Sequence, residues 1–197
     1  MTDNQKKIKA TIKRYENALA KEKKTHGTYD DGYGKRYLLG MMYLQIDDVP
    51  GAMRHFIWFE NEFNDDNGEP FQYLFWSLTL YRSGKVNEAE EKLRQTILRN
   101  LYIIPILLGE KIADYRIKFH SSEEYLDYVT AGEAPSEYFD LWMPNEKKWV
   151  SEFYRRKSTQ DEIKKYVEIN RKLDKEPVGD KRSVLVNEKF AMLKPRL

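Results

Sequence analysis

The stretch Tyr37-Leu38-Leu39-Gly40-Met41-Met42-Tyr43, followed by Ala52 and Phe56, decides the fold. Its pattern returns as Trp76-Ser77, Leu80, Gly84, Glu88-Ala89 and Leu93, and starts a third time at Leu108-Gly109. In each full copy a bulky apolar run holds one small residue, then a turn follows, then a second run carries Ala at a fixed place. That spacing describes a pair of antiparallel helices. Such a pair cannot bury its apolar face alone and must stack on a neighbour. The pattern points to a helical-repeat interaction protein rather than an enzyme, and it does not name the partner.

Working outward, residues 4–24 read as an amphipathic helix with Ile8, Ile12, Tyr15 and Leu19 on one side. Thr2, Asp3 or Asn4 can cap it. A turn-rich loop from His26 to Gly32 follows. The first pair is expected at about 34–46 and 49–63, with Pro50 tolerated near a helix start. Pro70 opens a helix to about Arg82, Ser83-Gly84-Lys85 turns the chain, and 86–99 completes the second pair. A third pair is expected from Tyr102, with Pro105 in the first turn and the helix running to about Ile117. Beyond it we expect short helices at Glu123–Val129 and 136–142, separated by a break at Ala131–Pro135. Longer ones follow from Pro144 to about Arg156 and at 160–174, the last capped by Ser158 or Thr159. Pro177-Val178-Gly179-Asp180 breaks the chain again. The tail, with Val184, Val186, Phe190 and Leu193, is too apolar for a disordered end and is expected to dock as a short helix. Only 183–187 is ambiguous with a strand.

These residues resemble the tetratricopeptide repeat. The first unit matches that family at Leu39, Gly40, Tyr43, Ala52 and Phe56, and the second at Tyr73, Gly84, Glu88, Ala89 and Leu93. Trp76 precedes the small residue of the second unit, and the third unit matches only at Leu108 and Gly109. Ala52 and Ala89 stand 37 residues apart where the family has 34, and Asn64 and Leu101 replace its closing prolines. The resemblance implies an all-α solenoid of antiparallel helix pairs over 33–117. An N-terminal helix and loop (1–32) precede it, and a helical extension (118–197) packs on it, all within one structural domain. It also implies a concave groove lined by the first helix of each pair. The groove positions are Gly34, Tyr37, Met41 and Leu44; Phe71, Leu74, Leu78 and Tyr81; and Ile103, Ile106, Glu110 and Ala113. The Lys, Asn and Arg set with which some members hold a peptide carboxylate is missing from these positions. The groove is therefore apolar. It either binds an apolar peptide or helix or is covered by the chain's own helices, since a bare patch of that size is rare; we favour self-coverage.

Composition is compatible with one substantial core: 197 residues, 41% hydrophobic, 34% charged. Cysteine is absent, which excludes disulfides and thiolate chemistry. No apolar h-region follows the first lysines, and no run approaches a membrane span, so a cytoplasmic protein with no membrane partner is expected. Charge is uneven. Residues 1–24 carry eight Lys/Arg against three Asp/Glu, residues 147–197 carry fifteen against eight, and the middle is acidic. Solvated basic helices flanking an acidic body explain this. Basic ends that bind nucleic acid are the alternative.

Candidate chemistry fails on spacing. His26, His55 and His120 have no ligand neighbours, and His55 reads as a packing or surface residue. Asp65, Asp66, Asn67 and Glu69 suggest calcium, but an EF-hand loop would need acids where Phe63 and Leu74 stand. Gly32-Tyr33-Gly34-Lys35 lacks the rest of a P-loop. Glu60 and Glu62 place no acid/base pair. Trp149, Phe153, Tyr154, Arg155 and Arg156 can be read as a base-stacking patch, though a helix with snorkelling bases explains them better. The expectation is a non-catalytic protein-binding scaffold with no cofactor, no metal and no catalytic residue. An enzyme in a cleft beside the repeats ranks last.

Overall fold

Thr2 sets the first helix. Its hydroxyl accepts from the Gln5 N–H at 3.2 Å, and the Gln5 side chain accepts from the Thr2 N–H at 2.9 Å. This reciprocal cap satisfies two otherwise orphaned donors. The computed structural model describes residues 2–29, 31–32, 34–118, 121–130 and 136–196. It divides into two compact units, Met1–Ala89 and Glu90–Leu197. Every regular element among the described residues is helical, including the ambiguous 183–187.

In the first unit, α1 (Asp3–His26) buries Ile12 and Leu19 and half-buries Ile8 and Tyr15, the expected stripe. Asp31 starts α2 (Lys35–Gln45), since its carboxylate accepts from the Arg36 N–H at 2.8 Å. Asp48 caps α3 (Val49–Glu62), accepting from the Gly51 N–H at 2.8 Å, with Pro50 in the first turn. α4 (Pro70–Arg82) is buried along every residue from Pro70 to Leu80. α2 packs on α1, α3 and α4, and α3 packs on α4.

One contact explains the small residue inside the first apolar run. A methyl group on Gly40 would lie 2.2 Å from the Phe56 ring. That ring stacks on Trp76 of α4 at 5.2 Å and an interplanar angle of 6°. A single ring of α3 therefore fills the space between the backbone of α2 and the indole of α4. Phe56 is buried, as are Leu39 of α2 and Ala52 of α3.

α4 ends at Gly84, which sits at φ +76. The Lys85 N–H bonds the Leu80 carbonyl at 2.9 Å and the Gly84 N–H bonds that of Tyr81 at 3.0 Å, a Schellman cap. α5 (Val86–Arg99) follows, with Ala89 and Leu93 buried.

The second unit corrects the expected third pair. α6 covers only Ile103–Leu107 and does not reach Ile117. Gly109 stands at φ +66, the Glu110 N–H bonds the Pro105 carbonyl at 2.8 Å and the Gly109 N–H bonds that of Ile106 at 3.0 Å. Leu108-Gly109 is thus a helix stop of the same kind as Gly84, not the small residue of a new repeat. A 3-10 turn (Ser122–Glu124) capped by Ser121 leads to α7 (Leu126–Thr130), and α8 (Ser136–Asp140) follows; the expected break at Ala131–Pro135 lies outside the described residues. α9 spans Pro144–Tyr154 and α10 spans Lys157–Leu173, so Ser158 and Thr159 lie within the first turn of α10 and do not cap it. The tail forms α11 (Asp180–Leu193), which packs on α10.

Three polar contacts hold this unit together. Asn100 donates to the carbonyls of Glu123 and Tyr125 at 2.6 and 3.1 Å and accepts from the Tyr102 N–H at 2.9 Å. Glu124 accepts from Tyr166 of α10 and from Lys189 of α11, both at 2.6 Å, and all three are buried. Burial, then the Glu124 charge, pushes the Tyr166 phenol well above its usual range. Arg94 of α5 grips the end of the chain. It donates to Glu91, to Glu162 at 2.8 Å, and to the carbonyls of Met192 and Lys194 at 2.8 and 2.6 Å. A cation at the carbonyl end of α11 also meets the negative end of the helix dipole.

Candidate functional site

The groove positions are filled with core side chains. Met41, Leu44, Phe71, Leu74, Leu78 and Ile103 are buried, and Tyr37, Tyr81 and Ile106 are half-buried. Tyr37 is held by the loop between α3 and α4: its hydroxyl donates to Asp66 at 2.7 Å and accepts from Arg36 at 2.7 Å, and its ring lies 5.9 Å from Phe59. Burial, then Asp66, pushes its pKa well above the usual phenol range, so the hydroxyl keeps its proton. Asp66 also accepts from the Arg36 guanidinium and the Gly68 N–H, so this acidic turn ties backbone to α2.

Of the repeat-packing positions, Gly40 and Phe56 of the first repeat and Trp76 of the second meet directly, and Leu39 and Ala52 are buried. Tyr43 adds a different feature. A methyl group on Gly51 would lie 2.5 Å from the Tyr43 ring, so glycine lets α2 and α3 close there. Beside this contact, α1, α2 and α3 leave a cleft of about 240 Å³. α1 contributes Glu16, Leu19 and Ala20; the following loop contributes Tyr29; α2 contributes Leu39 and Tyr43; α3 contributes Gly51, Arg54, His55 and Trp58.

The cleft is aromatic, and its rings pack on one another. Tyr29 and Trp58 meet edge to face at 5.3 Å, and the Trp58 N–H donates to the Tyr29 hydroxyl at 3.3 Å. Phe63 and His55 lie 5.3 and 5.2 Å from Trp58. His55 is buried, and its Nε2 lies 2.8 Å from the Arg36 carbonyl, which requires the proton on Nε2. Burial lowers its pKa to about 4 against a smaller opposing effect of that hydrogen bond, so the ring is neutral near pH 7. Its one ring proton is held in the hydrogen bond to the Arg36 carbonyl. The Tyr43 hydroxyl donates to Glu16, and burial with that carboxylate pushes the phenol well above its usual range. Arg54 is exposed and makes no ion pair or hydrogen bond among the described residues.

Motif reasoning on the sequence did not select this cleft, though one signal was there. Gly51, Arg54, His55 and Trp58 fall at i, i+3, i+4 and i+7 of α3, one face of the helix. The patch read for base stacking is arranged otherwise. Trp149 and Phe153 are buried, Arg155 pairs with Glu110 at 2.6 Å, and Arg156 forms a two-point pair with Glu90 at 2.6 Å. Glu62 pairs with Lys23 at 3.0 Å. No group of three or more His, Asp or Glu suited to a metal occurs among the described residues, and His120 lies outside them. Among the described residues no helix is long and apolar enough to cross a membrane.

No protein-family model matches the chain, and neither a curated protein nor a solved structure does. The packed helix pairs are compatible with a helical repeat on their geometry alone.

Proposed function

We propose that the chain is a non-catalytic protein-interaction scaffold built on tetratricopeptide-like helix pairs. In this reading it takes its partner at the cleft between α1, α2 and α3 rather than along the row of groove positions. The cleft carries the proposal. It is lined by packed aromatic and aliphatic side chains and rimmed by Glu16 and Arg54. Pockets for small molecules and cofactors generally exceed ~300 Å³. About 240 Å³ suits one large side chain of a partner better than a whole cofactor. The burial of Met41, Leu44, Phe71, Leu74 and Leu78 supports the same reading, because those side chains are committed to the core.

The test is a photo-reactive residue at Ala20, which is exposed and lines the cleft. In cells that make the chain it is expected to give a discrete adduct with one protein. The same probe at Lys164 of α10, which does not line the cleft, is expected to give none. An adduct at Lys164 alone would overturn the placement, and no adduct at either would overturn the scaffold reading. Reproducible turnover of a small molecule by the purified chain would overturn the non-catalytic part.

A further inference from the structure

The cleft-bearing face of α1 carries more than Glu16 and Ala20. Residues three and four apart share a helix face, so Lys9, Lys13 and Lys24 line up with those two along α1. All three are exposed, and none makes an ion pair or hydrogen bond among the described residues. Arg54, across the cleft on α3, is in the same condition. Lys23 is engaged with Glu62, Lys35 with Asp31 and Arg36 with Asp66, while Lys7 and Lys21, which are exposed and unpaired among the described residues, lie off this face of α1. The one carboxylate lining the cleft, Glu16, holds the Tyr43 hydroxyl. One unpaired cation, Arg54, therefore lines an aromatic cavity that contains one hydrogen-bonded carboxylate, and three more follow the cleft-bearing face of α1 on either side of Glu16 and Ala20.

We propose that this cleft binds a short acidic segment of another protein, with one bulky apolar side chain seated among Tyr29, Tyr43 and Trp58. Flanking Asp or Glu residues meet Lys9, Lys13, Lys24 and Arg54. The proposal rests on the scaffold reading and names the chemistry of its partner. Area and charge divide the work as in other interfaces: a buried anchor supplies affinity, while complementary charge supplies orientation and association rate.

The same cations would attract nucleic acid, but the rings do not suit base stacking. Stacking platforms need open ring faces. Trp58 has Tyr29, His55 and Phe63 within 5.3 Å, and the Lys23 ammonium lies 4.8 Å over the Tyr29 ring. A cavity walled by such mutually packed rings takes a compact side chain.

The experiment uses the full chain and labelled synthetic peptides read by fluorescence anisotropy. One peptide is Gly-Asp-Glu-Asp-Phe-Glu-Asp-Gly. A second replaces Phe by Ala, and a third replaces each acid by Lys. A twelve-nucleotide oligo-dT is the fourth probe. The acidic Phe peptide is expected to bind at least about tenfold more tightly than the others, a difference of ~1.4 kcal/mol. Its affinity is expected to fall as salt is raised, because exposed charges are screened. Arg54→Glu, Lys13→Glu and Ala20→Trp are each expected to weaken it by about tenfold or more, reversing or blocking a contact worth ~1.4 kcal/mol. These three positions are exposed, and unchanged melting shows that the variants fold. Equal or tighter binding of the Lys peptide or of oligo-dT would overturn the proposal, as would indifference to Arg54→Glu together with Lys13→Glu. If no peptide binds while the Ala20 probe still captures a protein, the acidic-segment inference falls and the scaffold reading stands. If the Ala20 and Lys164 probes also capture nothing, both fall.

Discussion

Gly40 has no room for a side chain. A Cβ there would approach three atoms of the Phe56 ring at 2.2, 2.6 and 2.9 Å. Gly40→Ala gains about 1 kcal/mol of helix propensity. It must also displace a ring stacked on Trp76, and overpacking of that kind costs about 1–3 kcal/mol. The variant is expected to be net destabilised in urea unfolding; a gain in stability would show that the ring moves aside freely. Neighbouring His55 makes a pH prediction. Its folded pKa of about 4 lies below the unfolded value near 6.5 because burial disfavours the charged ring. The unfolded chain therefore takes up the proton first. Stability from this site is full above pH 6.5 and is lost as pH falls toward 4, by about 3 kcal/mol in all. His55→Gln keeps a donor for the Arg36 carbonyl and is expected to show a flatter pH dependence than wild type over that window. An identical slope would refute the assignment. Gly40 and Phe56 were legible in the sequence because close helix packing demands a small residue opposite a large one. The cleft was not, because it is made by three helices whose approach no local spacing encodes.

At the scale of elements, the two glycine stops show why one dipeptide misled. Leu39-Gly40 lies inside a helix and faces a ring, while Leu108-Gly109 ends one with Gly109 at φ +66. The distinguishing signal was distant: no second run with Ala and Phe follows Gly109. Nothing lies within 4 Å of a Cβ built on Gly109. Gly109→Ala is thus expected to cost only the left-handed backbone strain, roughly 1–2 kcal/mol, measurable by thermal melting; a cost several times larger would mean that packing also holds the site. That the tail docks was legible from its apolar residues, but Arg94 as the docking point was not. Its guanidinium is buried against Glu91 and Glu162 and also holds the end of α11. Arg94→Met leaves two shielded carboxylates with less compensation, a loss of about 3–5 kcal/mol by analogy with other broken buried pairs. Amide exchange at 190–196 is expected to accelerate most. A uniform change along the chain would show that Arg94 does not act through this segment.

For the whole molecule, the division at Ala89 and Glu90 makes a prediction about cooperativity. The hub of Gly40, Phe56 and Trp76 lies wholly in the first unit. In the second unit, α10 alone buries Ile163, Tyr166, Val167, Ile169 and Leu173. At about 1.5–3 kcal/mol for each fully buried large side chain, these five represent roughly 10 kcal/mol of apolar burial. That is comparable with the entire net stability of a typical domain, ~5–15 kcal/mol. Deleting residues 158–197 also removes the Tyr166 and Lys189 partners of Glu124 and the carbonyl acceptors of Arg94. The truncated chain is therefore expected to bind an apolar dye and to lose amide protection in α9 and the 122–130 segment. Protection in α2 and α3 should persist, because the contacts that fix Phe56 between Gly40 and Trp76 are all retained. Loss of protection in α2 and α3 to the same extent would show that the two units unfold as one. Retained protection in α9 would show that α10 and α11 are not needed for the core of the second unit.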